Sequence, residues 1–136
     1  MNKEKLIEEL KRDEGVELRP YKCSAGFLTL GVGRNIQERG ITMDESDYLL
    51  ANDIKICEEE ASKVFKWFPS LTDDRQRAII NMVFNLGLTK LLHFKNFLAA
   101  MEAGDYETAG KEMLDSKWAR QVGNRSDRLE QMIVNG

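Results

Sequence analysis

Apolar residues recur along most of this chain at helical spacing, and one short stretch breaks the rule. Leu6, Ile7 and Leu10 share a face between charged neighbours, which predicts a first helix over residues 3–13. Arg19 to Arg34, RPYKCSAGFLTLGVGR, changes period: Tyr21, Phe27, Thr29 and Val32 favour strands, Ser24-Ala25-Gly26 suits a turn, and a hairpin is expected over 19–33. Gly31 and Gly33 would weaken a strand interior unless the backbone comes close to another group there.

Helical spacing returns after Gly40. Thr42-x-x-Glu45 behind Ile41 is a capping box with a hydrophobic staple. It opens a long helix to about residue 65, with Leu49, Leu50, Ile54, Cys57, Ala61 and Val64 as the expected buried face. Trp67-Phe68-Pro69 interrupts it. Thr72 caps DDRQRAIINMVFNL, stopped by Gly87. That helix is apolar on most sides near its end, which places Met82, Val83, Phe84 and Leu86 in or beside the core. Shorter helices are expected at about 88–93, 94–103, 105–115, 117–122 and 124–133. The fold class is α+β. The 136 residues make one domain: a small hairpin lobe at about 14–40, a connecting helix at 42–65, and a helical lobe at 70–136 that also takes the N-terminal helix. A cleft between such lobes is where ligands usually bind.

Composition narrows the function. The net charge of -3 arises in residues 1–70, with 11 basic and 14 acidic side chains; residues 71–136 balance at 9 and 9. No basic stripe points to nucleic acid, and a negative balance gives no general attraction to a polyanionic wall. No segment is apolar for long enough to enter a membrane. The charged N-terminus has no apolar signal region. Cys23 and Cys57 do not make a disulfide framework, so a reducing cytosol and two free thiols are expected. The single His93 has too few partners for a metal site, and no cofactor is expected.

Asp13-Glu14-Gly15 closes the first helix, where a carboxylate opposes the helix dipole. By itself this is an ordinary solvated charge. Glu14, Cys23 and Thr29, however, stand as Glu-x8-Cys-x5-Thr. This resembles the active-site hairpin of the phage-type lysozymes, glycoside hydrolase family 24, whose pattern is Glu-x8-Asp-x5-Thr with Cys at the middle position in some members. Ile41-Thr42, Asp53, Asn81 to Gly87, Phe94-x-Asn96, Ser116-Lys117-Trp118 and Asn124-Arg125 extend the resemblance from about Leu6 to Arg128.

The resemblance implies a lysozyme-like fold and a muramidase that hydrolyses the β-1,4 bond between N-acetylmuramic acid and N-acetylglucosamine. Breaking that bond needs an acid for the leaving oxygen and a group to handle water on the other face. Glu14 is the implied acid, with a pKa raised by partial burial between lobes and lowered by its implied partner Arg125. Thr29 positions water. Cys23 holds water as a thiol or acts as a thiolate; a free thiol is only a few per cent ionised near neutrality, and a nearby Glu14 makes ionisation harder. As packing alone, Cys23 would be a small hydrophobe and Thr29 a good strand former. Asn85, Glu112 and Asn124 are candidates for the glycan groove. Arg34 and Asp53 fall where the family places a buried ion pair, and Phe84 and Trp118 read as core. Only NIQERGI separates Arg34 from Thr42, so the third strand and loop of larger members are expected to be trimmed. The implied partners are peptidoglycan glycan strands and a separate pore protein that releases a monomeric enzyme from the bacterial host cytoplasm. Two alternatives remain: a lytic transglycosylase, in which the muramic 6-hydroxyl replaces water, and a catalytically weak glycan-binding module.

Overall fold

A computed structural model describes residues 1–136 and divides them into two compact units, Met1–Tyr48 and Leu49–Gly136. The first opens with α1 (Lys3–Glu14), whose N-cap Asn2 accepts from the Lys5 N–H and whose end is set by Gly15 at φ 75°. The first helix, expected with the helical lobe, falls in this unit, and none of its residues is buried. Three antiparallel strands follow in the order β1-β2-β3: β1 (Glu17–Lys22), β2 (Leu28–Gly31) and β3 (Arg34–Asn35). β1 is an edge strand, and its register is irregular between Glu17 and Tyr21. Pro20, which has no N–H to give, is tolerated there. The expected hairpin is therefore present, and a third strand of two residues follows it: Thr29 and Leu30 pair with Asn35 and Arg34. NIQERGI supplies the second residue of that strand, Asn35, and a one-turn helix, α2 (Ile36–Arg39).

The capping box forms as expected. Thr42 Oγ1 accepts from the Glu45 N–H at 3.2 Å and Glu45 Oε1 accepts from the Thr42 N–H at 2.8 Å, at the head of α3 (Met43–Val64). The expected Arg34–Asp53 pair does not. Arg34 sends Nη1 and Nη2 to the two oxygens of Glu45, each at 2.7 Å. Asp53 is exposed. At 1.5 Å rise per residue, Asp53 lies about 12 Å further along the helix, while Glu45 is already held beside Gly40 and Thr42.

The boundary between the units falls within α3. Of its expected buried face only Cys57 and Ala61 are buried; Leu49, Leu50, Ile54 and Val64 are exposed. A 3-10 turn at Phe68–Ser70 leads to α4 (Asp73–Leu86), capped by Thr72. The rest is helical: α5 (Leu88–Leu91), α6 (Lys95–Ala103), α7 (Tyr106–Leu114), α8 (Lys117–Val122) and α9 (Asn124–Asn135). Ile79, Met82, Leu91, Phe97, Met101, Met113 and Ile133 form the fully buried centre. Arg75 ties α4 to α9 through the Ile133 carbonyl at 2.7 Å, its guanidinium 3.6 Å above the Tyr106 ring. Met82 and Val83 are in this core and Leu86 is packed beside it. Phe84 is 47% exposed, contrary to its expected burial. A helix that is apolar on most sides cannot bury them all in one two-sided layer, and Phe84 is on the side left open.

Candidate active site

Glu14, Cys23 and Thr29 lie in the first unit. Glu14 is the last residue of α1 and is exposed. The partial burial expected of it is not present. Its carboxylate meets the chain after β2: a Cβ added to Gly33 would stand 3.1 Å from Glu14 Oε2. Gly33 also has φ 63°, a conformation other residues adopt with strain. Here is the close backbone approach that a glycine in this stretch of sequence suggested.

Cys23 follows β1 and is half-buried. Its N–H donates to the Phe27 carbonyl at 3.0 Å, and its carbonyl accepts from the Gly26 N–H at 2.8 Å, closing the expected turn. The backbone N–H of Phe27, then that of Ala25, the Thr29 hydroxyl and the Gly26 N–H, pull the thiol below its ordinary pKa against a small cost of burial. This corrects the picture of an unassisted thiol. Cys57 goes the other way: burial first, then Glu60 and Asp53, push its thiol up. Both thiols are free.

Thr29 is buried on β2, and its hydroxyl donates to the Phe27 carbonyl at 2.9 Å. A hydroxyl has one proton, so Thr29 serves that carbonyl or the Cys23 sulfur, not both at once. Its oxygen still has lone pairs with which to accept.

The second unit holds a groove of about 880 Å³ lined by α3 residues Leu50, Ile54 and Glu58, α4 residues Arg77, Asn81 and Phe84, and Arg125 from α9. Arg125 is oriented by Asn81, whose Oδ1 accepts from Nε at 2.9 Å and Nη2 at 2.7 Å. Asn85, Glu112 and Asn124 do not line this groove. Asn85 is instead the acceptor for the indole N–H of buried Trp118, at 2.7 Å. Glu112 is half-buried on α7, and Asn124 is exposed at the head of α9. His93 is exposed, and no cluster of histidine, cysteine and acidic side chains is arranged to hold a metal.

The phage lysozyme family model matches residues 11–132, a span that contains all of these side chains. The chain belongs to the phage lysozyme family. Among its relatives, a probable T4-type lysozyme of Dictyostelium discoideum is 32% identical over 93% of this chain and 92% of its own length. An endolysin of Acyrthosiphon pisum secondary endosymbiont phage 1 is 33% identical over 86% of this chain and 79% of its own. The pre-baseplate central spike protein of Enterobacteria phage T4 is 30% identical over 96% of this chain, which corresponds to 28% of that longer protein. The relatives thus include endolysins and a stretch of a longer spike protein. Sequence reasoning assigned no separate role to Asn81. Its link to Arg125 spans 44 positions, and no local spacing could signal it.

Proposed function

We propose that this chain cleaves the β-1,4 bond between N-acetylmuramic acid and N-acetylglucosamine, with Glu14 as general acid and Cys23 and Thr29 handling the attacking water. Family membership makes it a glycoside hydrolase of the lysozyme type. The observation that carries the residue assignment is the Glu14 carboxylate set against Gly33, in the same compact unit as Cys23 and Thr29.

In this reading Glu14 gives its proton to the glycosidic oxygen as the C1–O bond breaks, so the leaving sugar departs as an alcohol and not as an alkoxide. Water attacks C1 from the opposite face. Thr29, with its own proton on Phe27, accepts one hydrogen of that water and turns its lone pair toward carbon. The Cys23 thiolate takes the proton that the water loses. The resulting thiol and the Glu14 carboxylate return to their starting states through solvent. Asn85, Glu112 and Asn124 contact the glycan in this reading.

Relatives named endolysin support peptidoglycan strands as the substrate. No helix is long and apolar enough to cross a membrane, which fits a monomer that accumulates in the bacterial host cytoplasm and reaches the wall through a separate pore protein. Turbidity loss on permeabilised cells, followed by mass spectrometry of the fragments, tests the proposal. Hydrolysis yields reducing ends. A 1,6-anhydro end would make the chain a transglycosylase and remove the water-handling roles, and wall binding without lysis would remove the enzyme.

A further inference from the structure

β3 is so short that the ladder on its side of β2 stops early. Thr29 and Leu30 pair with Asn35 and Arg34, and the chain turns into α2 at Ile36, so no third-strand residue continues opposite Leu28. The side chain of Gln37, in the single turn of α2, reaches back instead: its Oε1 accepts from the Leu28 N–H at 3.0 Å. That N–H belongs to the same planar peptide as the Phe27 carbonyl. The carbonyl accepts from the Cys23 N–H at 3.0 Å and from the Thr29 hydroxyl at 2.9 Å. One rigid plane is thus held at both ends, by Gln37 on one side and by Cys23 and Thr29 on the other. α2 is itself fixed, with the Glu38 N–H on Asn35 Oδ1 at 3.1 Å and the Gly40 N–H on the Ile36 carbonyl at 3.0 Å. All of these residues belong to the first unit.

We propose that Gln37 is a positioning residue for the reaction: it fixes the Phe27–Leu28 peptide plane, and through the Phe27 carbonyl it sets the direction of the Thr29 hydroxyl. This rests on the water-handling role proposed for Thr29. A hydroxyl turns freely about its C–O bond, and its lone pairs are aimed only while its proton has a fixed acceptor. The Phe27 carbonyl is that acceptor. When the plane tips, the carbonyl swings away and the Thr29 proton follows it or turns to the Cys23 sulfur, so the lone pair offered to water loses its direction. Gln37 and Leu28 are both exposed, and water can take the Leu28 N–H when the side chain is removed. The cost in stability is then small, because no polar group is left stranded. What is lost is the orientation.

Initial lysis rates of permeabilised cells, measured with the full chain over a range of cell concentrations, test this. Met and Glu match Gln in length and in helix propensity, so both leave α2 in place, and only Glu keeps a strong oxygen acceptor. Gln37→Met is expected to lower the maximal rate by about three- to tenfold, the range of one hydrogen bond, with the half-saturating cell concentration unchanged. Gln37→Glu restores most of that rate. Thr29→Val removes the hydroxyl itself and lowers the rate further, and in that background Gln37→Met has little additional effect. If Thr29→Val slows lysis and Gln37→Met does not, or if Gln37→Met slows it equally with and without Thr29→Val, Gln37 does not aim the hydroxyl; the inference is overturned while the role of Thr29 stands. If Thr29→Val lyses cells at the unaltered rate, the water-handling role fails and takes the inference with it. Should Thr29→Val not fold, the two Gln37 variants decide: a loss in Gln37→Met that Gln37→Glu recovers supports the role, and equal rates in the two remove it.

Discussion

Cys23 stands where the commoner family pattern has aspartate, and its turn changes what a thiol does there. Backbone N–H groups of Phe27 first, then Ala25, lower the pKa of a thiol that sequence alone leaves unassisted. A lowered folded-state pKa means that the thiolate is present from a lower pH upward. Alkylation of Cys23 by iodoacetamide is therefore expected to show a midpoint below the free-thiol value of about 8.5, with Cys57 unreactive because burial pushes it the other way. If Cys23 works as a thiolate, activity should rise over the same range. Cys23→Asp should retain activity and resist alkylation, and Cys23→Ala should lose more than Cys23→Ser. Equal rates for Cys23→Ala and the unaltered chain would reduce Cys23 to packing. For Glu14→Gln, lysis should fall on the order of a hundredfold or more with little change in folding, the usual effect of losing a general acid. A residual rate above about a tenth would place the acid elsewhere. Gly33→Ala forces a methyl against Glu14 Oε2 at a positive φ. It is expected to cost about 1 kcal/mol in thermal unfolding and to lower activity as well.

At the scale of the element, the head of α3 works as one polar unit. Glu45 closes the capping box and receives both arms of Arg34. The Thr42 N–H first, and then Arg34, bring its pKa down to about 2. A depressed carboxylate pKa contributes stability that is complete above the unfolded value, about 4.3, and is lost as pH falls toward the folded one. Thermal unfolding should show a fall in melting temperature between about pH 5 and pH 2 that Glu45→Gln flattens. An identical pH dependence in both proteins would deny Glu45 this role. The local signal for the cap was complete, because Thr42 and Glu45 lie within one turn. The partner of Arg34 was not legible. Several acidic residues follow on the same helix, and only the path of the chain through Gly40 brings Glu45, not Asp53, to the guanidinium.

For the whole molecule, core and charge give the remaining tests. Met82→Ala should destabilise by about 2–5 kcal/mol, since the side chain is fully buried. Phe84→Ala should cost no more than about 1 kcal/mol, the range for surface changes, because its ring faces the open groove. A reversed order in denaturant melts would contradict the burial pattern. With a net charge of -3, lysis of permeabilised cells should not fall as salt is raised to about 0.15 M; screening weakens repulsion from an acidic wall and removes no attraction. The sequence by itself determined most of the elements and their order, though not the short β3 and α2, and it singled out Glu14, Cys23 and Thr29. Helix period, strand-forming residues, caps such as Thr72 and stops such as Gly15 and Gly87 act over a few neighbouring residues, and the family pattern has fixed spacing. Only the tertiary structure decided which apolar residues are buried, as with Phe84 and the exposed half of α3. It also decided which polar groups meet: Arg34 with Glu45, Asn85 with Trp118, Asn81 with Arg125. Such contacts depend on the helix face that packing leaves open and on partners tens of residues away. Several carboxylates and amides compete for each arginine, and packing selects among them.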